Sequence, residues 1–116
     1  MIRVQTDQGE ISVSNAVFTT ITGAAATNCF GVKGMAYRSR TDGLVQLLRR
    51  ESMSKGVKVT YNEDGSVSIQ LRIVVEHGVN ITTVCRSIMS EVKYMVSKTT
   101  GVLVRVVNVF VDSITV

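Results

Sequence analysis

The chain has 116 residues, with 13 lysines and arginines against 9 aspartates and glutamates and a formal charge of +4. That length fits a single domain over 1–116, because a second independent core would have too little apolar surface to bury. Apolar residues make up 45% of the chain and charged residues 19%, a composition that excludes intrinsic disorder.

Proline and tryptophan are absent, whereas valine, isoleucine and threonine together supply 41 of the 116 residues, which favours a sheet-bearing fold. No apolar run reaches the roughly 18 residues that span a bilayer, and the N-terminal sequence is not a secretory signal. Cys29 and Cys85 lie in apolar-patterned segments, so we expect free, buried thiols in a reducing compartment. These features predict a soluble, cytoplasmic protein.

The N-terminal third of the chain predicts a strand, a helix and a second strand. Residues 10–13 alternate between polar and apolar, as an edge strand does. Ser14 or Asn15 can cap a helix that continues to about Phe30, where Gly31 ends it. Met35 to Ser39 is then typical of a short strand.

A brief helix is predicted next, capped by Thr41 or Asp42 and closed by Gly56. Arg49 and Arg50 lie in its last turn, where cations complement the helix dipole. Its apolar face consists of three leucines: Leu44, Leu47 and Leu48.

The C-terminal half contains the clearest patterns. Residues 57–61 and 67–76 alternate on either side of the turn 62–65, which predicts a hairpin. Apolar residues at helical spacing then predict a helix over 81–98. The valine-rich segment 102–111 has few polar positions, so we expect a strand that is covered on both faces.

These elements predict an α+β domain of two layers, with three helices against a mixed sheet of four or five strands. Strand 67–76, helix 81–98 and strand 102–111 are long enough for a C-terminal βαβ unit. The long helix would supply much of the core, because its stripe of apolar side chains is continuous.

The sequence does not assemble an active site. Its one histidine, His77, follows Glu76, and neighbours on a strand point to opposite faces. Cys29, Cys85 and His77 lack metal-site spacing, and no phosphate-binding glycine motif occurs. We therefore expect a protein that is not an enzyme and holds no catalytic residue, cofactor or metal.

The positive charge is concentrated between Lys33 and Lys58, where seven basic residues face two acidic ones, whereas the rest of the chain carries −1. This segment is either an ordinary solvated face or a docking surface for an anionic partner, such as a protein, lipid headgroups or nucleic acid. Under the second interpretation the partner-binding residues are basic side chains of this segment, namely Arg38, Arg40, Arg49, Arg50 and Lys55.

One short motif bears on nucleic acid. Gly31-Val32-Lys33-Gly34 matches the GxxG loop that clamps backbone phosphates in KH domains, where it joins two helices. Here a strand is predicted directly after it, so a structural role at a helix-to-strand turn is the main interpretation. A small RNA-binding module that uses this loop and the basic segment stays as the alternative.

Several fragments together carry a family resemblance. They occur in order along the chain: Gly9-Glu10-Ile11-Ser12-Val13-Ser14, Gly31-Val32-Lys33-Gly34-Met35, Lys55-Gly56-Val57-Lys58-Val59, His77-Gly78-Val79-Asn80-Ile81, Thr100-Gly101 and Val106-Val107-Asn108-Val109-Phe110-Val111. This ordered set resembles the alkaline-shock-protein family of Gram-positive bacteria, the Asp/Gls envelope-stress proteins, from about Gly9 to Ile114. Many members have an aromatic residue at the position of His77.

The resemblance implies a non-catalytic cytoplasmic scaffold or adaptor in the envelope or alkaline stress response. It also implies self-association and a protein partner, either membrane-anchored, which would hold the chain at the inner membrane face, or similar to a fatty-acid kinase. A regulator that docks such a kinase is therefore a further alternative. Nucleic acid is not expected as a partner.

Overall fold

In the computed structural model, which describes residues 1–38, 45–47 and 55–115, the chain forms seven strands and two helices. In chain order these are β1 (Ile2–Thr6), β2 (Gly9–Val13), α1 (Asn15–Thr27), β3 (Val32–Arg38), β4 (Val45–Leu47), β5 (Val57–Tyr61), β6 (Val67–Glu76), α2 (Ile81–Thr100) and β7 (Val104–Thr115).

The strands form two sheets. β1 and β2 make an antiparallel two-stranded sheet of their own, and the other five strands form a mixed sheet around β6. β5 pairs with the first half of β6 and β3 with the second half, both antiparallel. β7 runs parallel to β6 along its whole length, on the opposite side, so the expected βαβ unit is present.

The predicted middle helix is wrong. Val45–Leu47, which would lie inside it, is strand β4 and pairs antiparallel with residues 36–38 of β3. The described residues therefore contain two helices and not three. A few leucines at helical spacing are a weak signal, and pairing with the neighbouring strand β3 overrides it. The other residues of that predicted helix up to 54 lie outside the described ranges.

Both helices pack on one face of the five-stranded sheet. The side chains of β6 that face them alternate along the strand and are almost fully buried: Val67, Ile69, Leu71, Ile73 and Val75. α2 packs against these side chains with its own row of buried residues, which are spaced four apart: Val84, Ile88, Val92 and Val96. The predicted core stripe of the long helix is confirmed at these four positions, whereas Ile81, at the start of the stripe, is 38% exposed.

Local signals explain where α2 begins and ends. The side chain of Asn80 accepts a hydrogen bond from the backbone N–H of Thr83 at 3.0 Å, which caps the first turn. Gly101 ends the helix with φ +74°, a left-handed conformation that glycine adopts without steric cost. Neither helix of the described residues is both long and apolar enough to cross a membrane.

Candidate interaction surface

The predicted basic docking surface falls mostly outside the described residues. Arg40, Arg49 and Arg50 are not among them, and Arg38 is placed only through its backbone, as the last residue of β3. Lys55 is exposed just before β5. The convergence of these residues into one patch stays a prediction.

The GxxG motif does not form a phosphate-binding loop. Val32, Lys33 and Gly34 belong to β3, and Gly34 is buried opposite Val74 of β6. Gly31 lies in the turn before the strand with φ +89°, and a Cβ atom there would come within 2.9 Å of Val84 Cγ2. The glycine at the start of the motif therefore allows the α1–β3 turn to pack closely against α2.

Three side chains were candidates for chemistry: His77, Cys29 and Cys85. His77 is exposed directly after β6, and Cys29 and Cys85 are free and half-buried. Burial raises the pKa of both thiols, so they are protonated at neutral pH. Among the described residues, no group of three or more His, Cys, Asp or Glu side chains is placed to hold a metal.

The outer edge of β7 is the main unpaired feature of the sheet. β7 contains 12 residues, and of the described strands only β6 pairs with it. At about 3.3 Å per residue, its free edge is roughly 40 Å long. Such an edge offers a row of backbone N–H and C=O groups to another strand.

β7 is also uncovered on one face, so the expectation that both faces are covered is wrong. Val107 is buried beneath α2, whereas Val106 and Phe110 on the opposite face are 40% and 42% exposed. Asn108 lies between them and is exposed too. We call Val106, Asn108 and Phe110 the β7 patch, and the sheet face that carries it, opposite the helices, the open face.

Polar side chains of β6 border the β7 patch. Ser68, Gln70 and Arg72 pair with Val106, Asn108 and Phe110 respectively, and all three are half-buried. The guanidinium carbon of Arg72 lies 4.9 Å from the centroid of the Phe110 ring. An apolar surface edged by polar groups is typical of a protein–protein contact.

The sequence did not predict this surface, because segment 102–111 has so few polar positions that burial of both its faces was expected. The signal was present, since Asn108 interrupts the valines with a polar side chain on the same face as Val106 and Phe110. A polar residue at that position marks the face that is open to water.

The comparison with known families decides the identity of the chain. The family model described as the alkaline shock protein 23 family, "cell envelope-related function", which is the alkaline-shock-protein (Asp/Gls) family, matches residues 3–116. The chain belongs to the alkaline-shock-protein family. The resemblance drawn from the ordered fragments is thereby confirmed, together with the coarse expectation of a role related to the cell envelope.

Individual relatives of this alkaline-shock-protein family member come from Gram-positive bacteria. It is 37% identical to the uncharacterized protein YloU of Bacillus subtilis strain 168, over 99% of this chain and 96% of the relative. It is 36% identical to the uncharacterized protein Spy1614 of Streptococcus pyogenes serotype M6, over 99% and 95%. For the uncharacterized protein YqhY of Bacillus subtilis the identity is 28%, over 94% and 79%. No solved structure gives a significant match.

Proposed function

We propose that the chain is a non-catalytic scaffold or adaptor that performs its envelope-related role by binding other proteins. The observation that carries this proposal is the β7 patch, where Val106 and Phe110 are 40% and 42% exposed on a strand whose outer edge has no described partner. A partner that covers them gains apolar burial and backbone hydrogen bonds at the same place.

Self-association is part of the proposal. A long, valine-rich edge without proline has little protection against pairing with another copy of the chain. The N-terminal hairpin adds a second exposed apolar pair, because Val4 and Ile11 face each other across its strands and are 41% and 55% exposed. Sedimentation velocity at high micromolar concentration tests this point, and a clean monomer would contradict it.

The proposed setting is the cytoplasm, with a membrane-anchored partner that holds the protein at the inner membrane face. A protein similar to a fatty-acid kinase is the other partner class that we propose. Both classes agree with the family's envelope-related function, and co-purification from the native host separates them by identifying what is recovered.

The experiment is crosslinking in the native host, followed by co-purification with the wild-type chain and with Phe110→Lys. We expect Phe110→Lys to lose the partner, since it places a cation in the β7 patch next to Arg72. Tyr94→Lys is the matched control, because Tyr94 is an aromatic residue of α2 that is 57% exposed and lies on the other layer. Circular dichroism checks that both variants fold.

Equal recovery by the wild-type chain and by folded Phe110→Lys would contradict the proposal that the β7 patch binds the partner. Loss of the partner with Tyr94→Lys alone would indicate that the partner binds the helical layer, and this result would contradict the proposal as well. Turnover of a substrate by the purified chain would contradict the non-catalytic part.

A further inference from the structure

A groove runs between α2 and the outer edge of β7. Its volume is about 360 Å³. α2 lines it with Met89, Ser90 and Lys93, and β7 lines it with Arg105, Val106 and Val107. A groove between an edge strand and a helix is a common place for an extended peptide to bind, since the peptide pairs with the strand and packs against the helix.

The backbone of β7 suits such pairing. Residues 106–111 pair with residues 68–73 of β6 in unbroken register. Irregularities bracket this stretch, since Arg105 and Asp112 are the residues that the register skips. The regular stretch of the edge therefore coincides with the segment that borders the groove and carries the β7 patch.

The positive charge of the groove indicates that its ligand carries acidic residues. Lys93 and Arg105 are the two charged residues that line it, and both are exposed cations. The nearest acidic residue of α2 in sequence, Glu91, lines a different groove, between α1 and α2. On the helix side, a strand added to β7 would thus meet two positive charges, and no carboxylate lines the groove itself. Arg105 also lines a neighbouring pocket with Glu63 and Asp64, so its charge is shared between that pocket and the groove.

The opposite side of the same added strand would meet different chemistry. Side chains of a strand alternate between the two faces of a sheet. Those that point to the helix layer would approach Lys93 and Arg105, and those that point to the open face would lie beside Val106 and Phe110. Complementarity to both faces therefore favours a strand with acidic residues on the helix side and apolar residues beside Val106 and Phe110, so that the two kinds alternate along it.

We propose that this groove binds an extended peptide segment in which acidic and apolar residues alternate, and that the segment pairs with β7 as an additional strand. The inference rests on the proposed function, because it names the site and the chemistry of a protein partner. The acidic residues contact Lys93 and Arg105, and the apolar residues cover Val106 and Phe110.

The test uses the full chain and a fluorescent peptide of about eight residues in which glutamate and valine alternate. Anisotropy should show saturable binding, and the backbone amides of residues 105–111 should gain protection from hydrogen exchange. A peptide of the same composition with its glutamates grouped at one end should bind much more weakly. A peptide that alternates lysine and valine should not bind.

Variants of the chain test the charges. Lys93→Glu combined with Arg105→Glu should weaken binding at least about tenfold, because two attractions become repulsions. Lys98→Glu is the matched control, since Lys98 lies on α2 over the ring of Tyr94, 5.4 Å from its centroid, and does not line the groove. It should leave the affinity unchanged.

Equal binding of the acidic and basic peptides, or no saturable binding, would overturn the inference. Protection of the β7 amides that rises with protein concentration and that added peptide does not change would also overturn it, because a second copy would then exclude the peptide from the edge. If peptides fail while crosslinking still recovers a partner through Phe110, the groove inference falls and the proposed function stands.

Discussion

Arg72 and Asp112 join β6 to β7 where the register between the two strands is interrupted. Nη1 of Arg72 donates to Oδ1 of Asp112 at 3.0 Å and lies 3.3 Å from Oδ2. The Asp112 side chain is 5% exposed and that of Arg72 is 32% exposed. Because the same guanidinium packs over Phe110, one arginine holds both the irregular backbone and the aromatic residue of the β7 patch.

We expect the two substitutions that break this ion pair to lower the free energy of unfolding by unequal amounts. Arg72→Met leaves a nearly buried carboxylate unpaired and should lower the free energy of unfolding by about 1–3 kcal/mol. Asp112→Asn should cost less, since Arg72 still reaches water and an amide oxygen can still accept its hydrogen bond. Urea titrations of both variants measure the difference, and equal small losses would show that the pair behaves as an ordinary surface ion pair.

The close approach at Gly31 gives a second prediction. In Gly31→Ala the new Cβ atom would lie 2.9 Å from Val84 Cγ2 and 3.1 Å from Val79 Cγ1. Gly101→Ala also requires a positive φ, but its Cβ atom would meet nothing within 4 Å. The backbone cost of about 1–2 kcal/mol is common to both variants, so thermal melts should show Gly31→Ala as clearly the less stable. Equal melting temperatures would contradict the packing at this turn.

The buried row of α2 predicts a large effect for a charge in its middle. Val92 is 0% exposed, so Val92→Asp places an unpaired carboxylate in the core and should unfold or aggregate the chain. Tyr94→Asp, two residues further along the same helix, changes an exposed side chain and should leave the fold intact. Circular dichroism and light scattering distinguish the two, and wild-type stability of Val92→Asp would show that the helix register is wrong.

Much of this fold follows from the sequence, because its strongest signals are periodic. The alternation over 67–76 and the apolar stripe between Ile81 and Lys98 are long patterns that few other structures satisfy, and β6 and α2 match them closely. Asn80 and Gly101 carry the local chemistry that marks the two ends of α2, as an N-cap side chain and a glycine with positive φ. Elements that have a long periodic pattern and clear end signals are thus predictable from this sequence.

The errors arose where short patterns depend on tertiary partners. Val45–Leu47 is a strand because β3 is available to pair with it. The pairing depends on tertiary structure, so it cannot be predicted from the few residues around this segment. The strand Ile2–Thr6 was missed, although Ile2 and Val4 alternate with polar residues and face Val13 and Ile11 in the hairpin. Half of the basic segment, including Arg40, Arg49 and Arg50, lies outside the described residues, so its role as a site stays a prediction.

Titration of three half-buried groups, two cysteines and a tyrosine, gives a prediction for alkaline pH. Burial raises the pKa of Cys85, and at Cys29 burial outweighs a hydrogen bond from Ser87 that acts in the opposite direction. Burial also raises the pKa of Tyr61, whose hydroxyl donates to Oδ1 of Asn15 at 3.0 Å. The folded chain therefore holds these protons to higher pH than the unfolded chain does.

The direction in which stability changes with pH follows from the linkage between proton binding and folding. The stabilisation is fully present below the pKa of the unfolded thiols, about 8.5, and is lost as the pH rises through the higher pKa of the folded state. Urea midpoints should thus fall above that pH, and the fall should be smaller in Cys29→Ala combined with Cys85→Ala. Both thiols should react slowly with iodoacetamide at neutral pH. Rapid alkylation of the folded chain would contradict the raised pKa values.

Site-specific photo-crosslinking in the native host tests the central claim, that the chain binds its partner through the open face and outer edge of β7. A photoreactive residue replaces Val106 or Phe110 on β7, Tyr94 on α2, or Arg50 in the basic segment, and mass spectrometry identifies the adducts. Our account predicts adducts with another protein from positions 106 and 110 and none from position 94. Adducts confined to position 94 or position 50 would contradict it.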